Sequence, residues 1–110
     1  MKKDYMGIII EESLKDNKII NRLNITKVEI SQELRWHMYT VRISKKEIDG
    51  LKRAVRPKWY MHFWKGKNIV AIFKDKKFEF NFDDKRGRRA VVKYGMSLGI
   101  PEEQLDFPIG

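Results

Sequence analysis

Cysteine is absent from the 110 residues. Neither a disulfide framework nor a thiolate metal site is open to this chain, and the composition suits a reducing, cytoplasmic setting. Proline occurs three times and glycine seven, too few for a linker or a low-complexity stretch. Long apolar runs are missing as well. "MKKDYMGIII" begins with two lysines, yet its apolar run stops at Glu11 and Glu12, so no signal-peptide core follows. No stretch approaches the ~20 apolar residues of a membrane span, and no membrane association is expected. Acidic residues are in deficit, 15 against 24 Lys and Arg, which leaves a net charge of +9. That balance attracts polyanions such as nucleic acid, although it also serves solubility alone.

Hydrophobic residues make up 42% of the chain and charged residues 35%, a globular composition. The length fits one domain spanning residues 1–110. "YMGIIIEESL" reads as a strand, and Ile8, Ile9 and Ile10 in a row predict burial on both of its faces. In "KDNKIINRLN", Asp16 or Asn17 caps a short helix with Ile19, Ile20 and Leu23 at helical spacing. "ITKVEIS" alternates as a strand, with Ile25, Lys27 and Glu29 opposing Thr26, Val28 and Ile30. "RWHMYTVRI" is a third strand. It sets His37, Tyr39, Val41 and Ile43 against Trp36, Met38, Thr40 and Arg42.

Ser44 and Glu47 form a capping box for a helix whose apolar stripe is Ile48, Leu51 and Val55. Arg56-Pro57 closes that helix. "WYMHFWKGKNIVAIF" supplies two strands joined near Gly66. Trp59, Met61 and Phe63 lie on one face, and Tyr60, His62 and Trp64 on the other. After a turn at 74–77, "FEFNF" returns. Asp83 or Asp84 then caps a last helix carrying Val91, Tyr94 and Leu98, which Gly99 ends. The order predicts an α+β fold. Its core is a ferredoxin-like (βαββαβ) antiparallel sheet with the first strand between the third and fourth, extended by a strand pair and followed by a C-terminal helix.

Two stretches carry a resemblance. "KDYMGIIIEESL" at the start and "KYGMSLGIPEEQLDF" at the end, with "WY" and "FKDKKFEF" between them, resemble a family of small bacterial and archaeal proteins of about this length. Its C-terminal motif is of the form YGxSLGIPxxQLDF. The resemblance implies a free-standing domain. That family has no established activity, so no functional residues are transferred.

Large rings on both sides of one strand require cover on both sides. The helices serve one face. Over Tyr60, His62 and Trp64, with Trp36 nearby, the candidates are a second subunit in a homodimer, the C-terminal tail, or a stacked ligand such as single-stranded nucleic acid. The RNA-recognition signature, Lys/Arg-Gly-aromatic-Gly/Ala-Phe-Val, is absent. "DDKRGRR" crowds Lys85, Arg86, Arg88 and Arg89 at a helix start, where positive charge opposes the helix dipole and a bound anion relieves it. Lys52, Arg53, Arg56 and Lys58 end the preceding helix, where cations are favourable without any ligand. Arg53 and Arg56 join the polyanion site if they share a face with the first group.

Catalytic signals are weak. His37 and His62 sit on strands flanking the first, about 10 Å apart, too far for one zinc ion. Glu11 and Glu12, adjacent at a strand end, are expected on opposite faces. Ser97 in "GMSLG" has the letters of a nucleophile elbow but follows a helix instead of a strand. No Walker loop or dinucleotide fingerprint is present, and no cofactor or metal is expected. The expectation is a non-enzymatic binding or assembly domain that associates with nucleic acid or another polyanion. The alternatives are a structural homodimer joined through the aromatic sheet face, and an enzyme acting on a small anionic substrate.

Overall fold

The computed structural model describes residues 2–109. Six strands form one open antiparallel sheet: β1 (Tyr5–Ile10), β2 (Asn24–Ile30), β3 (His37–Ile43), β4 (Met61–Lys65), β5 (Asn68–Phe73) and β6 (Lys76–Asn81). Their order across the sheet is β2-β3-β1-β4-β5-β6. Two α-helices, α1 (Lys45–Leu51) and α2 (Lys85–Ser97), pack on it, so the fold is α+β. β1 pairs with β3 on one side and β4 on the other, the neighbours expected for it.

The layers depart from the expected ferredoxin-like pattern. The first crossover is not an α-helix but two 3-10 segments, Glu11–Ser13 and Asn17–Arg22. Both are short connectors, where the tighter 3-10 geometry is common. Asp16 accepts a hydrogen bond from the Lys18 N–H and so caps the second as expected. The sheet runs to six strands, and its two faces are covered by different helices. Ile9, Val41, Ile43, Phe63, Val70 and Ile72 pack with Ile48 and Leu51 of α1 on the inner face. Ile69, Ala71, Phe73 and Phe80 pack with Val91 of α2 and with Ile100, Leu105 and Phe107 of the tail on the outer face. The alternation of β5 between these two cores explains why five of its six residues are buried.

Local signals build both helices. Ser44 and Glu47 exchange hydrogen bonds in a capping box at the start of α1. Asp84 caps α2 by accepting from the Gly87 N–H at 3.0 Å. At the end of α2, the Ile100 N–H donates to the Gly95 carbonyl and the Gly99 N–H to the Met96 carbonyl. This Schellman arrangement requires the left-handed φ of +92° that Gly99 supplies. It turns the chain back so that Leu105 packs over Gly95 and Phe107 reaches the sheet.

Two strand readings need correction. Ile8 is 39% exposed, so the triple isoleucine of β1 is not buried on both faces: the outer side of β1 and β3 carries no helix. The alternation of β2 is broken by a bulge between Ile25 and Lys27. The extra residue places Ile25 opposite Val41 on the inner face, the same face as Val28 opposite Tyr39.

Candidate functional site

The uncovered part of the outer sheet face is a trough over β1, β3 and β4, with the C-terminal tail as one wall. At one end an apolar groove of about 340 Å³ is lined by Ile8, Ile10, Trp36, Trp59, Tyr60 and His62, with Lys58 at its rim. Trp36 and Trp59 meet edge to face, ring centroids 5.2 Å apart. At the other end a largely basic recess of about 570 Å³ is lined by Lys2, Lys3, Arg42, Lys65 and Trp64, with Asp4 paired to Lys65 at 2.8 Å. Met6 borders the recess and Ile8 the groove. As residues i and i+2 of β1 they share one face about 7 Å apart, so the two depressions adjoin. All three tryptophans of the chain therefore border one surface.

The rings along β4 are held in a row. Tyr60 and His62 centroids are 6.4 Å apart, and those of His62 and Trp64 are 5.5 Å apart. The tail fixes the first two: the Tyr60 hydroxyl donates to the Gln104 carbonyl, and His62 Nε2 donates to the Pro108 carbonyl at 2.7 Å. Phe107 packs edge-on against both rings. Cover over Tyr60 and His62 is thus intramolecular, and no second subunit is needed to shield them. Burial, reinforced by the Asp106 carboxylate, pushes the Tyr60 pKa up to about 12. Burial also lowers the His62 pKa below the ordinary imidazole value, outweighing the Pro108 hydrogen bond and the Asp106 charge.

Lys85 to Arg89 and the Lys52 and Arg53 end of α1 fall on opposite sides of the sheet, because α1 packs on the inner face and α2 on the outer, while Lys58 reaches the rim of the outer groove. They do not form one site. Arg88 is diverted: its guanidinium stacks on the Phe82 ring at 4.4 Å and donates to the Phe82 carbonyl at 3.2 Å. Lys85, Arg86 and Arg89 stay exposed. Arg56 donates from Nε to the Leu14 carbonyl, which fastens the loop after α1. Arg53 lines a separate recess of about 420 Å³ with Lys15, Lys18 and Arg22, which sequence spacing did not connect to it. Among the described residues, no arginine lies within ion-pair distance of a carboxylate. The acids pair with lysines and with His37.

Glu11 and Glu12 do not point to opposite faces. The strand ends at Ile10, and in a 3-10 turn consecutive side chains diverge by about 120° instead of 180°. Both carboxylates meet β3: Glu11 accepts from the Tyr39 hydroxyl at 2.8 Å, and Glu12 accepts from the His37 N–H at 2.9 Å and lies 2.7 Å from Nδ1. Donor atoms of Glu11, Glu12 and His37 lie within 4.8 Å of one another. These are donor types that a divalent ion accepts. The hydrogen bonds to β3 account for the cluster without one. His37 and His62 point to opposite sheet faces and share no site. The groove that holds His62 contains no arginine, and Ser97 donates to the Tyr94 carbonyl at the end of α2.

The histidines titrate in opposite directions. The Glu12 hydrogen bond raises the His37 pKa. Burial acts to raise the Glu12 pKa, but the hydrogen bonds from His37 outweigh it and hold the pKa low. The stability His37 contributes is therefore present below its unfolded pKa of about 6.5 and is lost as pH rises through its higher folded value. For His62 the sign reverses. The unfolded chain takes up the proton first, so stability falls as pH drops below about 6.5. Imidazole NMR titration is expected to place the His37 midpoint above 6.5 and that of His62 below it. Glu12→Gln is expected to lower only the His37 midpoint.

No family model matches the chain, and comparison with curated proteins and with solved structures returns no match. No helix is long and apolar enough to cross a membrane.

Proposed function

We propose that this protein is a small non-enzymatic binding domain whose outer sheet trough holds single-stranded nucleic acid. The observation that carries the reading is the joining, along one sheet face, of three tryptophans with the Lys2, Lys3, Arg42 and Lys65 recess, beside Tyr60 and His62, which the tail partly covers. Bases stack on aromatic faces whatever their sequence, and a basic groove tracks the phosphates, although Lys65 is paired with Asp4 at 2.8 Å and Lys3 with Glu47 at 3.8 Å. Arg42 is exposed and free of any carboxylate, so it is available for a phosphate fork. The +9 charge supplies long-range attraction.

We also read β1 to β4 with α1 as a ferredoxin-like half, extended by β5, β6 and α2. The position of β1 between β3 and β4 supports this, as does the packing of α1 and of Leu14, Ile19 and Ile20 of the first crossover in one core. The resemblance to the YGxSLGIPxxQLDF family rests on residues with clear structural work. Gly95 admits Leu105, Gly99 turns the chain, and Ile100, Leu105 and Phe107 complete the outer core.

Intrinsic tryptophan fluorescence tests the binding reading directly. Short single-stranded oligonucleotides are expected to quench it, with affinity falling as salt rises from about 50 to 200 mM. Trp36→Ala and Trp64→Ala are each expected to weaken binding roughly 10- to 100-fold, the stacking contribution of about one base. Arg42→Ala is expected to reduce the log–log salt slope by about 0.7, the value for one single-strand phosphate. Quenching absent at low salt, or indifferent to salt, contradicts the reading.

A further inference from the structure

We propose that β2 is a self-complementary edge through which two copies of this chain pair antiparallel, joining their sheets into one. β2 ends the sheet, and its burial pattern is almost wholly exposed. Val28 is 57% exposed and Ile30 61%, and Leu34 in the following turn is 56% exposed. Three of the five exposed large hydrophobic residues of the described chain thus lie on this strand and its turn.

The backbone is poised for pairing. The Ser31 N–H points inward, donating to the Trp36 carbonyl at 2.9 Å. Strand alternation then turns the N–H and C=O groups of Val28 and Ile30 toward the free edge. The bulge lies between Ile25 and Lys27, so the stretch from Lys27 to Ile30 stays regular.

Charge pattern selects the partner. Lys27 and Glu29 share the outer face, opposite Thr40 and Met38, with their charged groups 3.4 Å apart. About a twofold axis through Val28, antiparallel pairing places Lys27 against Glu29 of the other copy, and Glu29 against its Lys27. Those positions become non-hydrogen-bonded pairs, where side chains approach most closely. The result is an alternating square of four charges on one face, with Val28 meeting its own copy on the other. A second copy supplies this complement by symmetry.

A strand pair of this length is a small interface, below about 1,200 Å², and the assembly is a weak, concentration-dependent dimer. Sedimentation velocity from about 10 to 500 µM, at about 0.15 M salt to screen the net charge, is expected to show a monomer giving way to a dimer. Lys27→Glu and Glu29→Lys each place like charges together and are expected to weaken dimerisation at least ~10-fold. The double swap, K27E with E29K, regenerates the complement and is expected to restore the constant to within about threefold. Both side chains are exposed, and unchanged far-UV circular dichroism checks that each variant folds. A monomer throughout, a dimer indifferent to the single reversals, or a swap that fails to restore it overturns the proposal.

Discussion

Phe107→Ala is expected to lower folding stability by about 3–5 kcal/mol, the range for emptying a buried phenylalanine site. Phe107 is fully buried although it lies three residues from the chain end. Its ring packs edge to face with Tyr60, His62 and Phe80, at centroid distances of 5.5, 5.7 and 5.4 Å. The backbone there has φ of +49°, a conformation an L residue adopts only when packing holds it. Removing the ring therefore removes the reason for the tail to return to the sheet. Urea unfolding measures the loss. In the same variant the His62 imidazole is expected to titrate closer to 6.5, because Phe107 is part of what buries it. A loss below about 1 kcal/mol contradicts a tail that completes the outer core.

Gly7→Ala is expected to cost about 1–3 kcal/mol by overpacking. Gly7 pairs with Val41 on one side and Phe63 on the other, at the centre of the sheet. A Cβ there falls 2.3 Å from Phe63 Cδ1 and 2.9 Å from the His62 carbonyl oxygen. The ring has no free direction, since Phe63 is fully buried, and the carbonyl belongs to a neighbouring strand. Phe63→Leu is expected to be destabilising alone yet to recover part of the Gly7→Ala loss. A double-mutant cycle by urea unfolding reads this as a coupling of about 0.5–3 kcal/mol. Strict additivity contradicts the close approach.

Local chemistry was legible in the chain. Ser44 with Glu47, Asp84 before α2, and Gly99 after it act within a few residues of themselves, so spacing alone located them. The two faces of β4 from Met61 onward were legible because a period of two leaves no alternative once a strand is recognised, but Trp59 precedes the strand and lines the groove beside Tyr60 and His62 instead of lying wholly on the opposite face. The misses are non-local. Glu12 meets His37 across 25 residues, through a 3-10 turn that no capping or periodicity signal marks. The β2 bulge adds one residue without a glycine to announce it. Ile8, Ile9 and Ile10 look equally apolar, and only the layout of helices decides that Ile8 stays half open. At the site, Tyr60, His62, Trp64 and Trp36 were found as rings needing cover. Their union with Lys2, Lys3, Arg42 and Lys65 depends on β3, β1 and β4 lying side by side, which no single window displays. At the basic helix start, Phe82 as a stacking partner for Arg88 becomes evident only when α2 folds back on β6.

The open trough is tested most directly by amide and indole NMR shifts of the labelled protein titrated with a short single-stranded oligonucleotide at low salt. The expected perturbations cluster at Met6, Ile8, Thr40 and Arg42 and at the indoles of Trp36, Trp59 and Trp64. Shifts confined to Lys85–Arg89 or to the Arg53 recess, with the three indoles unmoved, would contradict the assignment of this face as the binding surface.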